Sequence, residues 1–204
     1  KICPVLKPNH QRNIQLLKDI RSTPGVKKAF VNSGIRYDLI EEDKEYGQEY
    51  LKEIVGHHVS GQMKIAPEHS ETKILKLMGK PDKEVLKEFK RSFEKLNQRT
   101  GKKQFLTYYM IAAHPGCSEK DMKDLKDFAN QDLKLSPEQI QIFTPTPSTY
   151  STLMYYTELD PFSLKPIYVE KDPMKKQKQK DIVTDKNYYK KFPKKKKGQA
   201  SILG

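Results

Sequence analysis

Cysteine is nearly absent: Cys3 and Cys117 are the only two in 204 residues. Two thiols so far apart are no disulfide framework, and a reducing cytoplasm is the expected compartment. No run of 18 apolar residues occurs and no signal-peptide pattern, so neither a membrane partner nor export is expected. The chain also lacks a glycine-rich phosphate loop, a Ser-His-Asp order and a zinc-ligand spacing. The pair His57-His58 comes nearest to a metal site, but no third ligand stands close to it in the sequence. No metal site is expected from these residues.

Charge is what the chain has in excess. Lys and Arg number 39 against 26 Asp and Glu, a net charge of +13, which suggests an anionic partner. Twelve Lys and only three Asp fall within residues 171–197, so the excess is mostly a basic tail and not a basic folded surface. The run "KKKK" at 194–197 reads either as a solvated segment or as a weak RNA contact. The rest is long enough for one domain with a real core. It opens on Lys1 with Cys3 and Pro4 close behind, which suggests a piece of something longer.

Periodicity sets out the elements. "NHQRNIQLLKDIRS" (9–22) places Ile14, Leu17 and Ile20 at helical spacing, and "VKKAFVNSG" (26–34) reads as a short strand. A second amphipathic helix is predicted over 43–55, then the strand "GQMKIAP" and a helix over 70–79 with Ser70 as N-cap. Residues 81–101 place Val85, Phe89, Phe93 and Leu96 on one face of a long helix that Gly101 ends. "QFLTYYMIAA" (104–113) is the most apolar strand, a capped helix starts at Ser118, and "EQIQIF" (138–143) is the last good strand. "KPIYVEK" could add an edge strand, and from Lys171 onward the composition reads as solvated tail.

This alternation argues for an α/β fold of parallel strands joined by crossovers, with strands apolar enough to be covered on both faces. Ligands in such folds bind where strand ends, loops and helix N-termini converge. The polar strand ends "NSGIRYD", "PEH" and "HPG" therefore hold the candidate chemistry. Glu68 and His69 are either a helix cap with its neighbour or part of a site. Arg36 and Asp38 are either a local ion pair or a fork for a carboxylate or phosphate. His114 is either a turn residue or a site residue. The pairs Tyr108-Tyr109 and Tyr155-Tyr156 are core residues or base-stacking platforms. The residues alone lead to a parallel α/β enzyme domain with a polar strand-end site.

Six separated strings, "VNSGIRYDL", "HHVSGQMKIAPEH", "LKLMGKP", "AAHPG", "QIQIFTPTPST" and "STLMYYT", resemble the YgiQ-type branch of radical S-adenosylmethionine (SAM) proteins over roughly residues 1–180. The resemblance implies the C-terminal half of a partial TIM-type barrel of six βα units. Residues 1–164 would belong to the barrel and 165–204 would form a basic, flexible extension. A Cys-x3-Cys-x2-Cys loop upstream would hold a [4Fe-4S] cluster whose fourth iron SAM chelates. One-electron cleavage of SAM then yields a 5′-deoxyadenosyl radical that takes hydrogen from a substrate of unassigned identity. Cys3 resembles the last member of a Cys-rich insertion.

The same resemblance assigns SAM contacts. Ser33 would sit near the methionine or ribose, Glu68 near the ribose or amino group, and Lys80 at the carboxylate. Tyr109 would meet the ribose hydroxyls, while Ile111, Ala112, Ala113 and Ile142 would wall the adenine. Arg36, His69 and His114 would face the substrate. The second reading, from a different class, is a non-catalytic nucleic-acid-binding domain whose basic tail contacts RNA.

Overall fold

A computed structural model describes Cys3 and residues 5–137 and 140–185. Its elements are α1 (Gln11–Ser22), α2 (Tyr37–Glu42), α3 (Gly47–Glu53), β1 (Gln62–Glu68), α4 (Thr72–Leu77), α5 (Lys83–Thr100), β2 (Phe105–Ala112), α6 (Glu119–Phe128), β3 (Gln141–Ile142), α7 (Tyr150–Thr157) and α8 (Pro173–Thr184). α3 and α6 each run on into one π-helical turn, over Ile54–His58 and Ala129–Leu133. The sheet is parallel throughout, in the order β1-β2-β3. The fold is therefore α/β, with an open three-stranded parallel sheet flanked by helices.

Local chemistry explains the helix boundaries. Asp82 caps α5 by accepting the Glu84 N–H, and Gly101 ends it in the left-handed conformation at φ 65°. On its apolar face Leu86, Phe89 and Phe93 are fully buried, and each phenylalanine contributes on the order of 2–3 kcal/mol. Ser118 and Asp121 form the capping box that opens α6. Gly116 sits at φ 86°, where a Cβ would also meet Leu77 Cδ1 at 2.4 Å, so "HPG" needs its glycine.

The helices cover one sheet face only. In β1, Met63 and Ile65 are buried while Gln62 and Lys64 are exposed. In β2, Met110 and Ala112 are buried, whereas Phe105 and Tyr109 on the alternate positions are about half exposed, at 58% and 49%. The apolar run in "QFLTYYMIAA" predicts two covered faces; among the described residues the second is open to solvent. Strand apolarity reports a capacity to be buried and does not say what does the burying.

Other expectations need correction too. Residues 26–34 form no strand; the ladder beyond β1 is a single parallel bridge, Ile35 to Ile65. "KPIYVEK" contributes only an antiparallel bridge, Leu159 to Pro166. The N-cap of α4 is Glu71, and Ser70 is buried. The stretch from Lys171, expected to be solvated tail, begins with α8, whose Gln179, Ile182 and Val183 are buried against α6 and the strands. Its two branched apolar residues are too few to lift the hydrophobic signal of a Lys-rich segment. "KKKK" and the rest of 186–204 lie outside the described residues, as do positions 138 and 139 of the last expected strand.

Candidate functional site

The carboxyl end of β1 is built by a backbone irregularity. The β1–β2 register runs evenly from Gln62–Phe105 to Ile65–Tyr108, then slips so that Glu68 faces Met110. This bulge re-aims the strand end. Glu68 itself lies at φ 65°, a conformation that costs a non-glycine residue on the order of 1 kcal/mol. Such strain persists only where surrounding contacts fix it.

Lys80 makes that contact. Its Nζ lies 2.8 Å from Glu68 Oε1 and also donates to the Ala66 carbonyl at 3.3 Å. The string "LMGKP" explains the placement. Gly79 closes α4 at φ 67°, its N–H donating to the Lys76 carbonyl and the Lys80 N–H to that of Leu75. The glycine turn folds the chain back, so Lys80 points toward the end of the strand that preceded its helix. Both side chains remain partly accessible, at 24% for Lys80 and 20% for Glu68.

A second charge pair stands beside the first. Arg36 grips Asp38 with a two-pronged fork, Nε to Oδ1 at 2.8 Å and Nη2 to Oδ2 at 2.6 Å. Asp38 is buried while the Arg36 side chain is 61% exposed. The hydrogen bond to Asp38 raises the Arg36 pKa further, so it is a permanent cation. Between these residues Tyr37 is buried; desolvation, then Asp38 and Glu68, push its phenol upward, so it stays a neutral O–H. Arg36, Tyr37, Asp38, Ala66 and Lys80 line a cleft of about 70 Å³. Next to it, over the open sheet face, a trough of about 270 Å³ is lined by Lys64, Thr107, Tyr109 and Gln141, among others.

The expected site residues do not all come together. Glu68, Lys80 and Arg36 come together. Tyr109 and Ile111 belong to the open face, Tyr109 beside the trough. Ser33 is exposed and precedes the Ile35 bridge, so it does not end a strand. Ala112 and Ala113 are fully buried, and Ile142 pairs with Ala112. Ala112 points to the opposite side of β2 from Ile111, because successive strand residues alternate. Ala113 has already left the strand, at φ 57°. The four residues therefore do not form one wall.

The two strand-end histidines are buried and internally bonded. His69 Nδ1 accepts the Glu71 N–H, which places its proton on Nε2, 3.5 Å from Cys117 Sγ. Burial lowers its pKa to about 3. His114 Nδ1 donates to the Pro115 carbonyl and its Nε2 accepts from Ser151 Oγ, again with a pKa lowered by burial. Each residue is only 2% exposed, so neither faces an open cleft. Cys117 is buried as well, which pushes its thiol up to about 12, and Cys3 is exposed. Glu71, Asp121 and Asp124 approach within 4.8 Å, but Asp121 is already engaged by Lys73 and Ser118.

Two residues at the strand ends escape sequence reading. Tyr37 follows a position that looks like a loop, because the first strand is reduced to one bridge. Gln179 binds the end of β2 from α8: its Oε1 accepts the Ala113 N–H at 3.1 Å. Nothing in "KKQKQKDIV" marks that glutamine.

No family model matches the chain. Among curated proteins it is 63% identical over 186 residues to a UPF0313 protein of Fusobacterium nucleatum subsp. nucleatum, covering 91% of this chain and 33% of that protein. A UPF0313 protein of Clostridium perfringens is 44% identical over 186 residues, covering 91% and 28%. One of Methanosarcina acetivorans is 43% identical over 183 residues, covering 90% and 24%. The chain thus spans about a quarter to a third of the length of these curated relatives, whose family name specifies no activity.

Proposed function

We propose that this UPF0313-like chain is the C-terminal part of a radical SAM catalytic barrel of the YgiQ type, and that the end of β1 holds the amino-acid end of SAM. The observation that carries the reading is the 2.8 Å Lys80–Glu68 pair, with the Arg36–Asp38 fork beside the same cleft. A free α-amino acid group presents an ammonium and a carboxylate a few ångströms apart. Two pairs of opposite charge, the first partly accessible on both partners and the second on Arg36, match that ligand. Glu68 suits the ammonium and the nearby sulfonium, and Lys80 suits the carboxylate. The neutral Tyr37 O–H adds a donor.

Size sets the remainder of the proposal. A cleft of about 70 Å³ holds a head group only, whereas drug-sized ligands occupy about 300–1,000 Å³. The nucleoside would lie along the trough over the open sheet face, past Thr107 and Tyr109. When bound, SAM supplies a carbon-centred radical, and the residues named here bind and orient it. The cluster is another matter. Cys3 and Cys117 cannot supply three thiolates, and Cys117 is a buried thiol kept protonated at neutral pH. This chain's own residues therefore do not fit a [4Fe-4S] cluster.

Among the described residues no helix is long and apolar enough to cross a membrane. The nucleic-acid alternative rests on the basic tail from Lys171, of which residues 186–204 lie outside the described residues. Anaerobic reconstitution of the full-length protein that contains this chain tests the proposal. It predicts 5′-deoxyadenosine from SAM under strong reductant; a well-formed cluster without SAM cleavage would refute it.

A further inference from the structure

At the opposite end of the sheet from Glu68, the chain builds a recess of about 330 Å³. It is walled by Arg21 at the end of α1, by Lys27 and Lys28 in the following loop, by His57 in the π turn after α3, and by Lys102 ahead of β2. We propose that this recess binds a small phosphorylated ligand carrying at least two negative charges, such as a pyrophosphate or a phosphate monoester.

Charge balance argues for it. Four Lys or Arg side chains line it, and among the described residues only Arg21 of the four has an acidic partner, Glu53 at 3.4 Å, which also serves His58 at 3.3 Å. Lys102 is held by the Gly56 carbonyl within the π turn. Lys27 and Lys28 are exposed, and among the described residues neither makes an ion pair with an acid. Four like charges in one concavity repel, and a multivalent anion relieves that repulsion. The size favours a compact ligand: about 330 Å³ falls at the lower end of small-molecule sites.

His57 stands among these cations. Its pKa is lowered first by partial burial and next by Arg21, aided by Lys102 and His58 and opposed by Glu53. A bound dianion stabilises the imidazolium, so the His57 midpoint must rise on binding. Ser60, just ahead of β1, belongs to the same rim, but the exposed lysines carry the specificity for charge.

The test titrates the chain with inorganic pyrophosphate at physiological salt, following the His57 ring signals and heat. Saturable binding with an upward His57 midpoint is expected. The variant K27E/K28E, which changes only exposed side chains, should weaken it at least tenfold, while E68Q leaves it unchanged. Absence of saturable binding, or equal affinity in K27E/K28E, would overturn the proposal. So would binding of single-stranded RNA with no response to pyrophosphate, since that would make the patch a polymer contact. The outcome is independent of SAM binding at the other end of the sheet.

Discussion

Gln179 Oε1 accepts the backbone N–H of Ala113 at 3.1 Å, and its Nε2 donates to the Cys117 carbonyl at 3.3 Å. One buried side chain from α8 thus straps both sides of the "HPG" turn and holds Ala113 at φ 57°. Replacing it with leucine leaves a buried donor and a buried acceptor unpaired. Gln179→Leu should cost about 2–4 kcal/mol, read as a shift of the urea midpoint without a change in slope.

The same helix decides where the chain can be cut. Ile182 and Val183 are fully buried, and Lys126 donates to the Ile182 carbonyl at 2.9 Å. Deletion from residue 171 should therefore give an unfolded or aggregating product. Deletion from residue 186 keeps α8 and should retain a cooperative unfolding transition, and circular dichroism distinguishes the two. Only the second deletion tests an RNA affinity assigned to the tail, because the first removes part of the core with it.

At Glu68 backbone and side chain can be separated. Its φ of 65° favours glycine. Glu68→Gly should be about 1 kcal/mol more stable than Glu68→Ala, and Glu68→Val should fall below both because a β-branched residue tolerates that conformation worst. Calorimetry gives the order. Equal midpoints for Gly and Val would show that the strand end relaxes out of the left-handed region.

Acid stability follows from the buried histidines. His69 has its folded pKa lowered to about 3, and His114 is lowered as well. Both are neutral in the fold and protonate in the unfolded chain below about 6.5. The unfolded state binds more protons in that window, so stability is complete above the unfolded pKa and falls as pH drops below it. His69 should contribute a slope of roughly 1.4 kcal/mol per pH unit, and His114 acts in the same direction. His69→Gln should flatten the profile between about pH 6 and pH 4; an unaltered slope would mean that His69 is hydrated in solution.

The legible parts of this chain are those where local chemistry and burial agree. The face Phe89-Phe93, the Gly101 stop and the Ser118 cap can be read directly, because period and cap chemistry are local. So can the parallel direction of the strands "MKIAPE" and "FLTYYMIA", though not which strand lies beside which. The strand over 26–34 cannot, since whether "VKKAFVNSG" joins a ladder depends on a neighbour's register. α8 is hidden by its lysines, which swamp the signal of Ile182 and Val183. At the site, the local pair Arg36–Asp38 is within reach of sequence; Glu68 and Lys80 are each named there, but their pairing is not. The burial of His69, His114, Ala112 and Ala113 is not, because it is set by α6, α7 and α8 packing over the strand ends.

The central claim is that Glu68 and Lys80 together receive the amino-acid end of SAM. Equilibrium binding of SAM to the full-length protein, compared with its Glu68→Gln and Lys80→Met variants, tests it most directly. A loss of at least tenfold in each variant, with thermal midpoints close to that of the parent, is the predicted result. SAM affinity that is unmoved by both substitutions would contradict the account.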